Sequence, residues 1–320
     1  MESVKPASGK VKIVNVKKPV LEALGAIIKV EGCGLCGSDI VKIREGIEGA
    51  VLGHEIVGEI VEIRSGTLLK TGDRVVVAHH YSCFECEFCA NESYSMCQTF
   101  KSSNVYPAGF SEFISITEGH LKHSVFKLPE GFDPVSASFM EPLACCLRAL
   151  RRADMTNAVR RVGLKSESTT LVLGLGSIGI LMVQALKSYG HNSHGFDIKP
   201  KRQKGFDFDK NIKYDTIFMT SGSAKAISKA LSLVKDGGKI IVFSSVEDES
   251  CYTNNEIYYR ELSIIGSYSP APIDLKTAHS KILNREIRLD GISTIYPLKD
   301  IRKAVDDTLS GKIYKAYIKI

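Results

Sequence analysis

The run Gly174-Leu175-Gly176-Ser177-Ile178-Gly179 constrains the fold of this chain most strongly. It follows a short apolar segment, Thr170 to Leu173, and opens an apolar stretch, Ile178 to Tyr189, that stops at Gly190. A short buried strand, a glycine-rich turn and a helix closed by glycine form the first half of a βαβ unit. The first glycine allows the tight turn. The second lets the backbone approach a pyrophosphate, and the third lets helix and strand pack closely. Phosphates then sit on the helix N-terminus, where free N–H groups and the helix dipole favour anions. Asp197 stands 23 residues after Gly174, at the end of the next strand, His194 to Asp197. An acidic residue there bonds the adenosine ribose hydroxyls. A ligand-free turn is the plainer account of the glycines alone, but the strand, the helix and Asp197 favour a cofactor. The expected dinucleotide contacts are Gly174, Gly176, Ser177, Ile178, Gly179 and Asp197. Asp197 repels a 2′-phosphate, so NAD is expected over NADP. Lys199, Lys201 and Arg202 follow closely and bear on that choice; their plainer reading is an exposed first helical turn.

Strand and helix alternate from there on. A third strand is expected at Tyr214 to Met219, a helix at Ala224 to Val234 and a fourth strand at Lys239 to Phe243. This alternation means a parallel α/β sheet. The first 145 residues differ. Val11 to Val16, Ala26 to Val30, Glu55 to Ile63 and Arg74 to Ala78 are rich in Val and Ile and are punctuated by turns such as Thr71-Gly72-Asp73. They predict an all-β, barrel-like lobe. A helix is expected over Pro142 to Asp154, where leucines recur at 143, 147 and 150. The tail has a helix over Leu298 to Leu309 and a last strand over Lys315 to Ile320, returning to the first lobe. The expected domains are therefore 1–145 with 292–320, and 146–291.

The chain has 320 residues, 44% of them hydrophobic, enough for two cores. Its net charge of +6 comes from basic residues spread along the sequence, without the basic stripe and interleaved aromatics that nucleic acid requires. No segment is long enough to cross a membrane, and the polar start, Met1 to Lys10, lacks the apolar core of a signal peptide. The cytoplasm is the expected compartment, where clustered cysteines point to metal rather than disulfides.

Such a cluster is present. Cys83, Cys86, Cys89 and Cys97 are spaced C-x2-C-x2-C-x7-C within a lobe over 81–98. Four thiolates this close can wrap one ion tetrahedrally, and their softness selects zinc. The site would be closed and structural; an iron–sulfur centre or unliganded thiols are the alternatives. Cys33, Cys145, Cys146 and Cys251 read as small buried residues.

A second set is scattered. Cys36 sits in Gly34-Leu35-Cys36-Gly37-Ser38-Asp39, His54 in Gly53-His54-Glu55, and Glu141 in Met140-Glu141-Pro142-Leu143. Each alone is more often a core residue than a ligand. Together they supply a thiolate, an imidazole and a carboxylate, a set suited to a catalytic zinc with its fourth position open. If residues 51–57 are extended, His54 and Glu55 point to opposite faces, so Glu141 is the expected third ligand. The alternative for Glu141 is a helix-capping carboxylate.

These motifs, in one order with T-G-D-R-V and E-P-L-A-C, resemble the zinc-containing medium-chain dehydrogenases, especially the sorbitol and threonine dehydrogenase-like branch. The resemblance spans nearly the whole chain. It implies a GroES-like catalytic domain and a Rossmann doubly wound sheet with the active site between them. It implies two zinc ions per chain, NAD, and oxidation of a secondary alcohol or polyol. An amino alcohol, sugar or cyclitol substrate, or an inactive zinc-stabilised binding protein, are the alternatives. By the same resemblance, zinc on Cys36, His54 and Glu141 polarises the alcohol and Ser38 takes its proton. Asp39 orients His54, and Glu55 is a supporting partner or an exchanging ligand. A homo-oligomer, dimer or tetramer, follows the family's habit, with Ser263 to Ser267 as its seam.

Two departures stand out. Val41 occupies the position where many relatives place a relay histidine. Only 17 residues separate Asp197 from Asp215, too few for two helices and a strand, so the Rossmann sheet is expected to be shortened.

Overall fold

The computed structural model describes residues 1–7, 9–21, 23–47, 49–156, 168–245 and 252–320; Cys251 lies outside them. In chain order the elements are β1 (Glu2–Ala7), β2 (Lys10–Asn15), β3 (Gly25–Gly34), α1 (Gly37–Glu45), β4 (Glu55–Arg64) and β5 (Arg74–Ala78). Then come α2 (Glu87–Ala90), α3 (Gln98–Ser102), β6 (Phe113–Thr117), α4 (Glu118–His123), β7 (Val125–Lys127), α5 (Pro134–Ala137) and α6 (Met140–Arg152). The α/β part holds β8 (Thr170–Leu173), α7 (Ser177–Ser188), β9 (Ser193–Phe196), α8 (Pro200–Gln203), β10 (Tyr214–Met219), α9 (Ala224–Leu233), β11 (Val234–Val242), α10 (Asn254–Tyr259) and β12 (Ser263–Gly266). The tail adds α11 (Pro272–Leu283), β13 (Ser293–Pro297), α12 (Ile301–Leu309) and β14 (Lys315–Lys319).

The chain divides into two units: residues 1–141 with 271–284 and 289–320, and residues 142–270 with 285–288. The first boundary lies close to the expected one. The return comes earlier than residue 292, because α11 packs on α5 and His279 Nε2 meets the Lys127 carbonyl at 3.0 Å. Among the described residues no helix is long and apolar enough to cross a membrane.

The first unit is built on β3. One edge of it pairs with β4; the other is shared by β6, against residues 25–29, and β14, against residues 32–34. Register shifts between Ile27 and Ile28 and between Val30 and Gly32 bend the strand. The full order is β13-β14-β3-β4-β5-β7, with β6 on β3. Val30, Ile56, Ile60, Val75, Val77, Ile114 and Ile318 fill the interior this curved sheet encloses. The lobe is built on strands as expected, but α1 to α5 lie between them, so it is not all-β; Arg74–Ala78 falls where the Val-rich run placed it.

The second unit carries a parallel sheet in the order β12-β11-β10-β8-β9. Leu171, Leu173, Ile217, Met219 and Ile240 form its core with Ile227 and Leu231 of α9. The shortening takes a definite form. The chain leaves β9, makes only the single turn α8, and enters β10 on the far side of β8, so β9 is the sheet edge. A strand edge carries free N–H and C=O groups that need partners. Here Gly195 N–H donates to the Asp207 carbonyl at 2.9 Å. The Gln203 amide donates to the carbonyls of Gly195 and Phe206 at 3.0 and 2.8 Å, and accepts from Asp197 N–H at 2.9 Å. One side chain thus does part of the work of a missing strand. Gln203→Ala removes three hydrogen bonds from this half-buried edge and is expected to cost about 1–3 kcal/mol. A lowered urea midpoint checks this; an unchanged midpoint means that water serves the edge equally well.

Candidate active site

α1 and the segment before β4 meet through one carboxylate. Asp39, in the first turn of α1, is 0% exposed. It accepts from Cys36 N–H at 3.1 Å and Gly53 N–H at 2.9 Å, and its Oδ1 lies 3.4 Å from His54 Nδ1. Burial opposes ionisation of Asp39, but His54 and the two backbone donors outweigh it and hold its pKa below the usual range. Burial likewise opposes a charged His54, and the neighbouring Asp39 and Cys36 reverse the balance and raise its pKa. Gly53 has φ +81°, and a Cβ there would fall 2.8 Å from Phe110 N. Only glycine makes this turn without displacing the backbone.

The turn overturns one expectation. Residues 51–54 are not strand; β4 begins at Glu55. His54 and Glu55 therefore do not alternate across a sheet. Cys36, His54 and Glu55 offer ligand atoms that all lie within 4.8 Å of one another. Glu141 is not part of that group. It is 7% exposed, in the first turn of α6, and its charge acts on Lys315. The expectation that Glu55 cannot share an ion with His54 is thus corrected: the fold gathers Glu55 with Cys36 and His54. Ser38 lies exposed in the first turn of α1.

Two residues were missed by sequence reasoning. Lys315, in β14, is 3% exposed, and its Nζ sits 2.7 and 2.6 Å from the two oxygens of Glu55. Burial alone would lower its pKa, but Glu55 and Cys36 raise it. A lysine in a short apolar strand, Ala316-Tyr317-Ile318 following it, was the available signal. His79 follows β5, with its ring centroid 4.8 Å from that of His54.

The cysteine lobe brings all four of its residues together. Sγ separations are 3.5 Å for Cys83 and Cys97, 3.6 Å for Cys86 and Cys89, and 3.9 Å for Cys83 and Cys89. Zn–S bonds of about 2.3 Å in a tetrahedron require Sγ edges of about 3.8 Å, so the donor set fits zinc. The described cysteines form no disulfide.

In the second unit, Gly174 follows β8 with φ +98°, and Gly176 caps α7. A Cβ on Gly179 would fall 1.9 Å from the Gly174 carbonyl oxygen, so the third glycine is required by helix–strand packing. Ser177 and Ile178 form the first turn of α7. Asp197 accepts from Leu175 N–H and from Lys199 N–H, each at 2.8 Å. It therefore holds the glycine loop and the next turn in place. Arg202 Nη1 lies 3.7 Å from where a Cβ on Gly176 would stand. The basic cluster is not wholly an exposed turn, since this half-buried guanidinium borders the loop.

Residues 23–130 match the alcohol dehydrogenase GroES-like domain. D-arabitol-phosphate dehydrogenase of Enterococcus avium is 26% identical, covering 98% of this chain and 95% of its own. Sorbitol dehydrogenase of Halalkalibacterium halodurans is 28% identical, covering 91% and 90%. Galactitol-1-phosphate dehydrogenase from Escherichia coli superposes with a TM-score of 0.85 at 22% identity over the full length of both chains. Residues 23–130 thus match an alcohol dehydrogenase GroES-like domain, and the chain is similar over nearly its whole length to polyol dehydrogenases.

The Glu55–Lys315 pair is testable in isolation from catalysis. Lys315→Met leaves a fully buried carboxylate without its ammonium and is expected to cost about 3–5 kcal/mol. Adding Glu55→Gln should recover most of the loss, because the stranded charge is gone. Melting temperatures of the two variants measure this; equal losses in both would contradict a pairing role for Lys315.

Proposed function

We propose that the chain is a zinc-dependent dehydrogenase that oxidises a secondary alcohol or polyol to a ketone, with NAD taking the hydride. The gathering of Cys36, His54 and Glu55 around one point carries this reading. Thiolate, imidazole and carboxylate are the donor types of an open zinc site. We assign the catalytic ion to these three, with Glu141 as a nearby carboxylate. A second, structural ion belongs to Cys83, Cys86, Cys89 and Cys97. A zinc ion at the first site would act as a Lewis acid on the alcohol oxygen and make its proton easier to remove. NAD supplies the hydride acceptor, held by Gly174, Gly176, Ser177, Ile178 and Gly179, with Asp197 at the ribose.

The chain's own residues prepare the site. Asp39 fixes the His54 ring by taking its Nδ1–H, leaving Nε2 to ligate. Lys315 compensates the Glu55 charge in a buried setting, where a lone carboxylate is costly. Ser38 Oγ, exposed on α1, takes the hydroxyl proton and passes it to water, since Val41 has no side chain able to relay it. Free thiols suit a reducing cytoplasm. We expect a homo-oligomer.

A scaffold protein without turnover is the competing reading, motivated by Val41 and the shortened sheet. NADH formation at its absorbance band over a panel of secondary alcohols and polyols separates the two. The scaffold reading wins if zinc and NAD bind and no alcohol is oxidised.

Three further outcomes follow. Elemental analysis should find two zinc ions per chain, and mild chelation should remove one together with activity while leaving the folded state. Glu55→Ala should lose the labile ion and Glu141→Ala should retain it; the reverse pattern restores Glu141 as the ligand. NAD should bind more tightly than NADP, with Asp197→Gly narrowing the gap. Tighter NADP binding by the unaltered protein would mean that Arg202 governs the ribose edge instead.

A further inference from the structure

β5 stops at Ala78, which pairs with Glu55 of β4, and residue 79 lies beyond the ladder. Backbone groups at such an end need other partners. α4 and the residue after it supply them. Ala78 N–H donates to the Ser124 carbonyl at 2.9 Å, and the His79 carbonyl lies 3.1 Å from His120 Nε2. Tyr81 packs beside them, its ring centroid 4.7 Å from that of His120 in an edge contact. A Cβ on Gly119 would run into the Tyr81 ring, so α4 is glycine where Tyr81 meets it. Residues 78–81 are thus fastened to α4 at three points.

His120 is 0% exposed. It is the third residue of α4, the place where a capping box usually carries Glu or Gln. Thr117 N–H donates to its Nδ1 at 3.3 Å, and the Thr117 side chain accepts the His120 N–H in return. A neutral imidazole has one donor and one acceptor, so an accepting Nδ1 leaves the proton on Nε2. Burial keeps the ring neutral, lowering its pKa to about 4 against the opposing pull of the His79 carbonyl. His120 Nε2–H therefore donates to that carbonyl. One buried ring caps its own helix and holds the backbone of residue 79.

The His79 ring is what this backbone carries to the site. Its centroid is 4.8 Å from that of His54, with the planes tilted by 41°. Asp39 already fixes His54 at Nδ1, and the His79 ring packs against the same imidazole. Groups that set the orientation of a ligating imidazole are typically worth roughly 10- to 100-fold in metal affinity. We propose that His120 is a positioning residue of the candidate catalytic site: through the His79 carbonyl it holds the His79 ring against His54 and so preorganises that ligand. This rests on the assignment of an ion to Cys36, His54 and Glu55 above. His120 acts only through His79. Were it merely a cap for α4, its loss would lower stability and leave the affinity for the ion unchanged.

The test uses the zinc-loaded full chain and reads the ion rather than turnover. Competition with a chromophoric chelator gives the affinity of the labile zinc. Co2+ in its place reports the ligand geometry through thiolate-to-metal absorption from Cys36. His120→Phe should weaken the labile ion by on the order of 10-fold and shift that band, while the ion of the cysteine lobe keeps its affinity. His120→Gln can accept from Thr117 N–H and donate to the His79 carbonyl, so it should restore most of the loss. In His79→Ala the positioned ring is gone, and adding His120→Phe should then change the affinity by no more than roughly twofold. The fall in melting temperature from His120→Phe should persist in both backgrounds, because the capping box is lost in each. Should His120→Phe fail to fold, His79→Ala alone decides: it should lose as much affinity, and an unchanged affinity overturns the proposal. Unaltered affinity in His120→Phe, or additive losses in the double variant, overturns the proposal and leaves the metal assignment intact. Absence of any labile ion overturns that assignment and the proposal with it.

Discussion

The first unit depends on the buried carboxylate of Asp39. Its oxygens join the start of α1, at Cys36 N–H, to the turn before β4, at Gly53 N–H and His54 Nδ1. A carboxylate with no exposure is tolerated only with such partners. Having them, it fixes two candidate ligands against each other before any ion arrives. The positive φ of Gly53 and the start of β4 at Glu55 then decide which second carboxylate joins them. Lys315 completes the arrangement from the other end of the chain, because β14 and β4 both register with Gly34 of β3. The polar centre of the unit is therefore a chain of compensated charges inside a hydrophobic barrel.

The second unit shows what a dinucleotide fold retains when it is shortened. The glycine loop, α7 and Asp197 keep their places, and the strand order on the β8-to-β12 side is kept. The loss falls beyond β9, where Gln203 and Asp207 satisfy the exposed edge. Asp197 contributes to the same economy. Its carboxylate is already committed to two backbone N–H groups, so it acts as a structural brace of the glycine loop.

Much of this was legible because it is local. The four cysteines fall within a 15-residue stretch of the sequence, and Gly174 to Gly179 is one turn. Such motifs carry their geometry in their spacing. The short Asp197–Asp215 interval likewise betrayed the missing strand by arithmetic alone. The errors came where a local rule was applied across an unseen boundary. Alternation of side chains was assumed for residues 51–57, and the strand starts at residue 55. Lys315 was invisible for a different reason. It pairs with a residue 260 positions away, and only the pairing of β14 and β4 with opposite edges of β3 brings them together. Gln203 and His79 carry no motif; their roles exist only once β9 is an edge and β5 ends beside His54.

The central claim is that Cys36, His54 and Glu55 form a metal centre distinct from the cysteine lobe. Anomalous diffraction at the zinc absorption edge tests it most directly, because it locates the ion without reference to activity. The account predicts two peaks per chain, one enclosed by Cys83, Cys86, Cys89 and Cys97 and one touching Cys36, His54 and Glu55. A single peak in the cysteine lobe, with Asp39 still bridging Cys36 and His54, would contradict it.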